Sequence, residues 1–261
     1  ESRILSRNGF LFIPYREMPE VSIITPCYNS SKYLEETIQS VLNQSFTDWE
    51  WVITDDCSQD KSIEIIERHN DPRIKLIKAE KNGGAGYARN LSLSEAKGRY
   101  ITFLDADDVW TPNFLEEMLN FMKRENAELA YSNYARCNEK LVPKLGDFKA
   151  DKVVTFGNLL KTCRLSLLSS MYDSERVGKE YFPEGNKRED HTMWLNLLKK
   201  IPKGLPLPKT MAKYRMLPTS VSRKKSRASN VSRLCKRQQR AKLLHQQIYR
   251  DVRDEQPRSP S

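Results

Sequence analysis

The chain has 261 residues, 38% of them hydrophobic and 30% charged, with a formal net charge of +10 at pH 7; that length can enclose the core of one large α/β domain or of a domain with an appendage. No apolar run approaches the roughly 20 residues of a membrane-spanning helix, and the first residues lack the apolar stretch and small-residue cleavage site of a secretory signal. Five cysteines, odd in number and never spaced C-x-x-C, speak against zinc and against a disulfide framework and fit a reducing cytosol.

Residues 1–18 read as a leader or loose extension, with Met18 directly before the first strand. From Pro19 onward strands and helices alternate. Val21–Thr25 is a short β-rich run. Tyr33–Gln44 carries Leu34, Ile38, Val41 and Leu42 on one helical face. Trp49–Thr54 is a second strand closed by Asp55-Asp56, and Asp60–Asn70 a second helix. Ile74–Lys78 is a third strand, Gly84–Ala96 a helix stopped by Gly98, and Tyr100–Leu104 a fourth strand. This alternation signals βαβ units and a parallel sheet. Right-handed crossovers then bring all four strand ends to one edge. That edge would collect Pro26-Cys27-Tyr28-Asn29, Asp55-Asp56, Asn82-Gly83-Gly84 and Asp105-Ala106-Asp107.

The fourth strand ends in three carboxylates, Asp105, Asp107 and Asp108. So much negative charge suggests a divalent cation with a phosphate attached, since hard cations take oxygen ligands. Read as an extended chain, the D-x-D spacing puts Asp105 and Asp107 on one side. A solvated turn is the plain alternative.

Pro112 suits the first position of a helix carrying Phe114, Leu115, Met118, Leu119 and Met122. Leu129–Tyr134 reads as a strand, Thr155–Arg164 as helical and Ser166–Tyr172 as extended. Glu189–Lys200 is a helix, Pro202–Pro208 a turn-rich connector and Met211–Arg215 a last strand. Asn230–Arg250 reads as a basic helix. Between Arg223 and Arg250 there are ten Lys/Arg and no Asp/Glu; without them 34 basic residues face 34 acidic ones. A neutral body with a basic end predicts a local acidic partner. Anionic lipid is preferred to nucleic acid, because few aromatic residues are interleaved to stack bases. A solvated helix is the simpler reading.

Five ordered motifs together resemble glycosyltransferase family 2, the inverting enzymes of the GT-A fold. They are Val21-Ser-Ile-Ile-Thr-Pro-Cys-Tyr-Asn29, Thr54-Asp-Asp-Cys-Ser-Gln-Asp60, Asn82-Gly-Gly-Ala-Gly-Tyr-Ala-Arg-Asn90, Leu104-Asp-Ala-Asp-Asp108 and Arg188-Glu-Asp190. The likeness runs from about Pro19 to Ser222. It implies a Rossmann-like α/β fold with a mostly parallel sheet flanked by helices, spanning 19–222, with a nucleotide-binding half (19–110) and an acceptor half (111–222). A basic helical tail, 223–261, follows. Cys57 stands where the family usually has Gly. There is no Q-x-x-R-W motif, which suggests that one sugar is added and the product released.

The resemblance also implies roles. Thr25, Pro26 and Tyr28 would cradle base and ribose, with the Tyr28 ring as a stacking face. Asp56 would accept from a uracil or guanine N–H; uracil is the expected base. Asn82 belongs to the Gly83-Gly84 loop, which lets backbone approach the ligand. Arg89 would reach nucleotide or phosphate; a surface ion pair is its alternative. Asp105 and Ala106 would line the nucleotide, with Asp105 near ribose or a metal-bound water, and Asp107 would hold Mn²⁺ or Mg²⁺. Asp190 would be the catalytic base, although two acids also suit a helix N-terminus. Glu189, Ser169 and Trp194 are acceptor-side candidates, with core packing the rival for Trp194. Arg215, with Ser220-Val-Ser222, would close over the diphosphate or lie in a surface loop.

The expected partners are a nucleotide-diphosphate sugar and a glycan or lipid-linked glycan in cell-surface polysaccharide assembly. The expected location is the cytoplasm, with peripheral membrane contact through 223–250. A catalytically silent nucleotide-sugar or membrane-binding module is the alternative. Nucleotidyl transfer would require a Gly-rich, basic first loop, which Pro26–Asn29 is not.

Overall fold

The computed structural model describes residues 18–150, 152–162, 164–183 and 188–217. The chain divides into two compact units, Glu1–Arg215 and Met216–Ser261. Every described strand and helix lies in the first. The leader 1–17, the boundary at 222, Ser220-Val-Ser222 and the basic helix over 230–250 lie outside the described residues.

Strands β1 (Val21–Cys27), β2 (Trp49–Asp55), β3 (Ile74–Lys78) and β4 (Tyr100–Phe103) pair in parallel in the order β3-β2-β1-β4. Helices α1 (Leu34–Leu42), α2 (Ser62–Arg68) and α3 (Ala85–Glu95) supply the connections. The sequence runs β1, β2, β3 to one side and then returns to place β4 on the other side of β1. The reversal puts a switch point between β1 and β4, where open α/β sheets bind their ligands.

The second half contains β5 (Val109–Trp110), α4 (Phe114–Arg124), β6 (Leu129–Cys137), β7 (Pro143–Phe148), α5 (Phe156–Leu159), β8 (Ser170–Asp173), α6 (Ser174–Val177), α7 (Glu189–Lys200) and β9 (Leu205–Arg215). The sheet continues from β4 through β8, β6 and β9 to β5, with β7 added beside β6. Here pairing is mixed: β4–β8, β6–β8, β6–β7 and β5–β9 are antiparallel, and β6–β9 is parallel.

The core explains the layering. Along β1, Val21 and Ile23 pack on the side of α1 and α4, whereas Ile24 packs on the opposite side with Leu93 of α3 and Trp194 of α7. Strands buried on both faces read as continuous apolar runs, which is why β1 and β2 are legible in the sequence.

Four local expectations change. Pro112 precedes the helix N-cap, Asn113, and so is not its first residue. Among the described residues of the expected helix 155–164 only Phe156–Leu159 is helical, opened by a capping box between Thr155 and Asn158. The expected extended stretch over 166–172 opens with a 3₁₀ turn, Leu167–Ser169, before β8. The expected connector 202–208 is already inside β9 from Leu205. Its pairing with β6 skips from Leu207 to Thr210, because Pro208 has no N–H to give the ladder. Strand β7 was hidden from sequence by its exposure: it pairs with β6 alone, and Pro143–Gly146 face solvent.

Cys57 occupies the left-handed region with φ 65, which accounts for the glycine usual at this position. An L-residue there costs roughly 1–2 kcal/mol. Cys57→Gly is therefore expected to raise the unfolding free energy in urea by about 1 kcal/mol. Its flexible unfolded chain and the lost Sγ contact to the Ala79 carbonyl, 3.4 Å away, trim the gain. A clear loss of stability would contradict the assigned backbone.

Candidate active site

The loop after β1 and the loop after β2 are stitched together. Asn29 (φ 48) donates its N–H to Ser58 Oγ at 3.0 Å and accepts from the Gln59 N–H at 2.7 Å. This leaves Tyr28 displayed, 51% exposed, with a ring face available for stacking. Pro26 is half-buried beside it. Asp56, almost wholly buried, accepts from the backbone N–H groups of Gly83 and Gly84, one on each carboxylate oxygen at 2.8 Å. Asn82 Nδ2 donates to the Asp56 carbonyl at 3.0 Å. Asp56 thus shapes the glycine loop, and each oxygen keeps a second lone pair.

The acidic run lies on a turn rather than on an extended strand. Strand β4 stops at Phe103, and the Asp108 N–H donates to the Asp105 carbonyl at 3.1 Å. Asp105 and Asp107 are part-exposed on this turn, while Asp108 is buried and accepts the Arg215 N–H at 2.7 Å. Burial, then the charge of Asp105, pushes Asp107 up to about 6. Burial, then Asp107 and Asp105, pushes Asp108 well above the usual carboxylate range. Among the described residues no group of three or more His, Cys, Asp or Glu forms a metal cage of its own. Mg²⁺-type ions are commonly held by one or two carboxylates plus substrate phosphates. Crowded part-exposed carboxylates fit that kind of ion, and Asp107 would hold it.

Arg89 joins this turn to the far half of the chain. Its guanidinium is 7% exposed, donating from Nη2 to Asp105 at 2.7 Å and from Nη1 to Glu189 at 3.2 Å. The group also lies 5.3 Å from the centre of the Phe182 ring. It is therefore a buried bridge, not the surface ion pair that sequence left open. Helix α7 begins at Glu189, whose carboxylate lies close against Gly86 in the first turn of α3. A Cβ on Gly86 would lie 2.4 Å from Glu189 Oε2, so the glycine makes room for this docking. Desolvation raises the Glu189 pKa, opposed by the charge of Arg89. Asp190 follows, part-exposed, close enough for its charge to act on Arg89.

Other expected positions are turned inward. The Thr25 hydroxyl donates to the Leu104 carbonyl at 2.6 Å and accepts from Trp51 Nε1 at 2.8 Å, fully buried; its side chain ties β1 to β4 and does not reach a nucleotide. Ala106 is buried, and its carbonyl accepts from Thr37 at 3.2 Å. Ser169 is fully buried and cannot touch an acceptor. Trp194 is fully buried, edge-on to Phe103 at 6.1 Å, and is core. Glu189, which is not turned inward, is part-exposed and pairs with Arg89. Arg215 is 1% exposed beneath the acidic turn, not a lid over the diphosphate. Asp108 and Arg215 are the structural residues that sequence reasoning misplaced; the pairing of Val109 with Lys213 two residues earlier in β9 had no sequence signal.

Removing the Arg89 cation leaves Asp105 and Glu189 facing one another. Arg89→Leu is expected to cost about 2 kcal/mol at neutral pH, the scale of hydrogen bonds to charged groups. In the variant the Glu189 pKa rises further above its unfolded value. A raised carboxylate pKa binds its proton more tightly in the folded state, so the deficit should shrink as pH falls towards about 5. Urea unfolding at several pH values checks this; a deficit independent of pH would contradict the bridge.

A family model for glycosyl transferase family 2 matches residues 22–158. Over 213 residues the chain is 37% identical to the putative teichuronic acid biosynthesis glycosyltransferase TuaG of Bacillus subtilis, covering 81% of this chain and 84% of that protein. Over 179 residues it is 38% identical to WfgD of Escherichia coli, a UDP-Glc:alpha-D-GlcNAc-diphosphoundecaprenol beta-1,3-glucosyltransferase, covering 69% and 70%. The crystal structure of S. aureus TarS 1–349 with UDP-GlcNAc superposes with a TM-score of 0.70 at 26% identity, over 83% of this chain and 65% of that one. This chain therefore spans just under two thirds of that TarS chain. A mannosyltransferase of Pyrobaculum calidifontis, solved with GDP-Man and Mn²⁺, shares the fold at 18% identity and a TM-score of 0.59. The motifs, the sheet order and these likenesses agree: the chain belongs to glycosyltransferase family 2 and has the GT-A fold.

Proposed function

We propose that this chain transfers one sugar from a nucleotide-diphosphate sugar to an acceptor hydroxyl, with inversion, during assembly of a bacterial cell-surface polysaccharide. What supports it most is the Arg89 bridge. It draws Glu189, 100 residues further along the chain, to the same cleft edge as Asp105, and Asp190 with it. The names of TuaG and WfgD support the surface-glycan setting. Uracil is the proposed base, supported by the UDP-Glc of WfgD and the UDP-GlcNAc of TarS. The lipid diphosphate in the name of WfgD supports a lipid-linked acceptor. The basic block 223–250 would then rest on an anionic membrane face.

In this reading Tyr28 stacks on the base, and Asp56 with the Gly83-Gly84 loop encloses it. Arg89 holds the Asp105 carboxylate at the cleft edge. Bound at Asp107, Mn²⁺ or Mg²⁺ would supply positive charge to offset that of the leaving diphosphate. Asp190 accepts the acceptor hydroxyl proton as the oxygen forms its bond to the anomeric carbon. The bond from that carbon to the phosphate oxygen breaks on the opposite face, and the nucleoside diphosphate carries away the electron pair.

Two measurements test this. In a thermal-shift panel of nucleoside diphosphates and their sugars with Mn²⁺, UDP and a UDP-sugar should raise the melting temperature most, by ligand linkage. If no nucleotide shifts it, the donor assignment fails. Asp190→Asn should cut transfer and slow UDP-sugar hydrolysis by about 10²–10⁴-fold, the range of general-base contributions, and leave the UDP thermal shift intact. An Asp190→Asn variant of full activity would remove Asp190 as base, whereas a wild type that binds UDP but shows neither transfer nor UDP-sugar hydrolysis would favour the silent-module reading.

A further inference from the structure

Arg215 ends β9, which runs antiparallel to β5 immediately after the acidic turn. Its side chain is 1% exposed, and each guanidinium nitrogen has an acceptor inside the protein. Nε donates to the Asp107 carbonyl at 2.7 Å, Nη2 to Glu36 at 3.3 Å and Nη1 to the Glu139 carbonyl. Its backbone N–H donates to the Asp108 carboxylate at 2.7 Å. The Tyr33 ring lies 4.6 Å from the guanidinium carbon, covering one face. At 1% exposure the guanidinium presents almost no surface to a phosphate. Two of these bonds instead grip consecutive residues of the turn, one through the Asp107 backbone and one through the Asp108 side chain. The Asp107 carboxylate remains part-exposed above them.

We propose that Arg215 is a positioning residue for the divalent-cation site: it fixes the Asp107 backbone so that its carboxylate meets the ion in one orientation. The proposal rests on the reading of Asp107 as metal ligand. A planar fork reaches three acceptors at once, whereas lysine offers a single charged point. Outer-shell groups that orient a ligand are worth 10–100-fold in metal affinity. The loops carrying Tyr28 and Asp56 are tied by their own hydrogen bonds, so nucleotide recognition without metal is independent of Arg215.

The test is Mn²⁺ titration by electron paramagnetic resonance, with UDP present, on wild type, Arg215→Lys and Arg215→Ala, alongside UDP titration in EDTA. Arg215→Lys should weaken Mn²⁺ at least tenfold, with UDP affinity in EDTA within about twofold of wild type. Guanidinium at millimolar concentration should restore Mn²⁺ affinity to Arg215→Ala and leave wild type unchanged. If Arg215→Ala does not fold, Arg215→Lys decides the matter alone. Unchanged Mn²⁺ affinity in a folded Arg215→Lys overturns the proposal and leaves the metal reading standing. Equal losses of Mn²⁺ and of metal-free UDP binding also overturn it, since they indicate general damage or direct diphosphate contact. A wild type that takes up UDP but no Mn²⁺ overturns both this proposal and the metal reading.

Discussion

The buried guanidinium of Arg89 is the constraint on which the rest of the cleft depends. It sits between a carboxylate from the turn after β4 and one from the start of α7. A cation this enclosed needs acceptors, because an unpaired buried charge is far costlier than a paired one. One acceptor comes from a turn and the other from a helix start. The pairing therefore fixes where α7 begins relative to the acidic turn. Gly86 is part of the same device, since any side chain there would collide with Glu189.

A second buried guanidinium, that of Arg215, supports the turn from the opposite side. The two arginines have different partners. Arg89 engages the side chain of Asp105, whereas Arg215 engages the backbone of Asp107 and the side chain of Asp108. Between them the turn keeps two part-exposed carboxylates together, and burial, with the charge of Asp105 second, raises the Asp107 pKa. Two crowded carboxylates held in place in this way would suit a hard divalent cation, which takes oxygen ligands.

Donor-side and acceptor-side residues were not equally legible. Tyr28, Asp56, Asn82 and the acidic turn follow strands or open helices, so their common location comes from the βαβ rhythm and the rule for strand ends. Ser169 was misread, and Trp194 was left between core and acceptor, because burial, not residue type, separates a core side chain from one that touches a ligand. Trp194 at 0% exposure beside Phe103 looks the same in sequence as a tryptophan facing a sugar. Thr25 is similar: the motif is right, but its hydroxyl is used to join β1 to the end of β4.

By itself the sequence determined the parallel strands β1 to β4, their helices, and the four polar clusters at one sheet edge. Those features depend on local periodicity and on the handedness of the crossovers. Only the tertiary structure decided which buried arginine meets which carboxylate, that Asp108 turns inward, and that β9 passes beside β5. The Arg89–Glu189 and Arg215–Asp108 pairings join residues about a hundred positions apart, and no local pattern records them. They form because a buried charge must find its partners wherever the folded chain brings them.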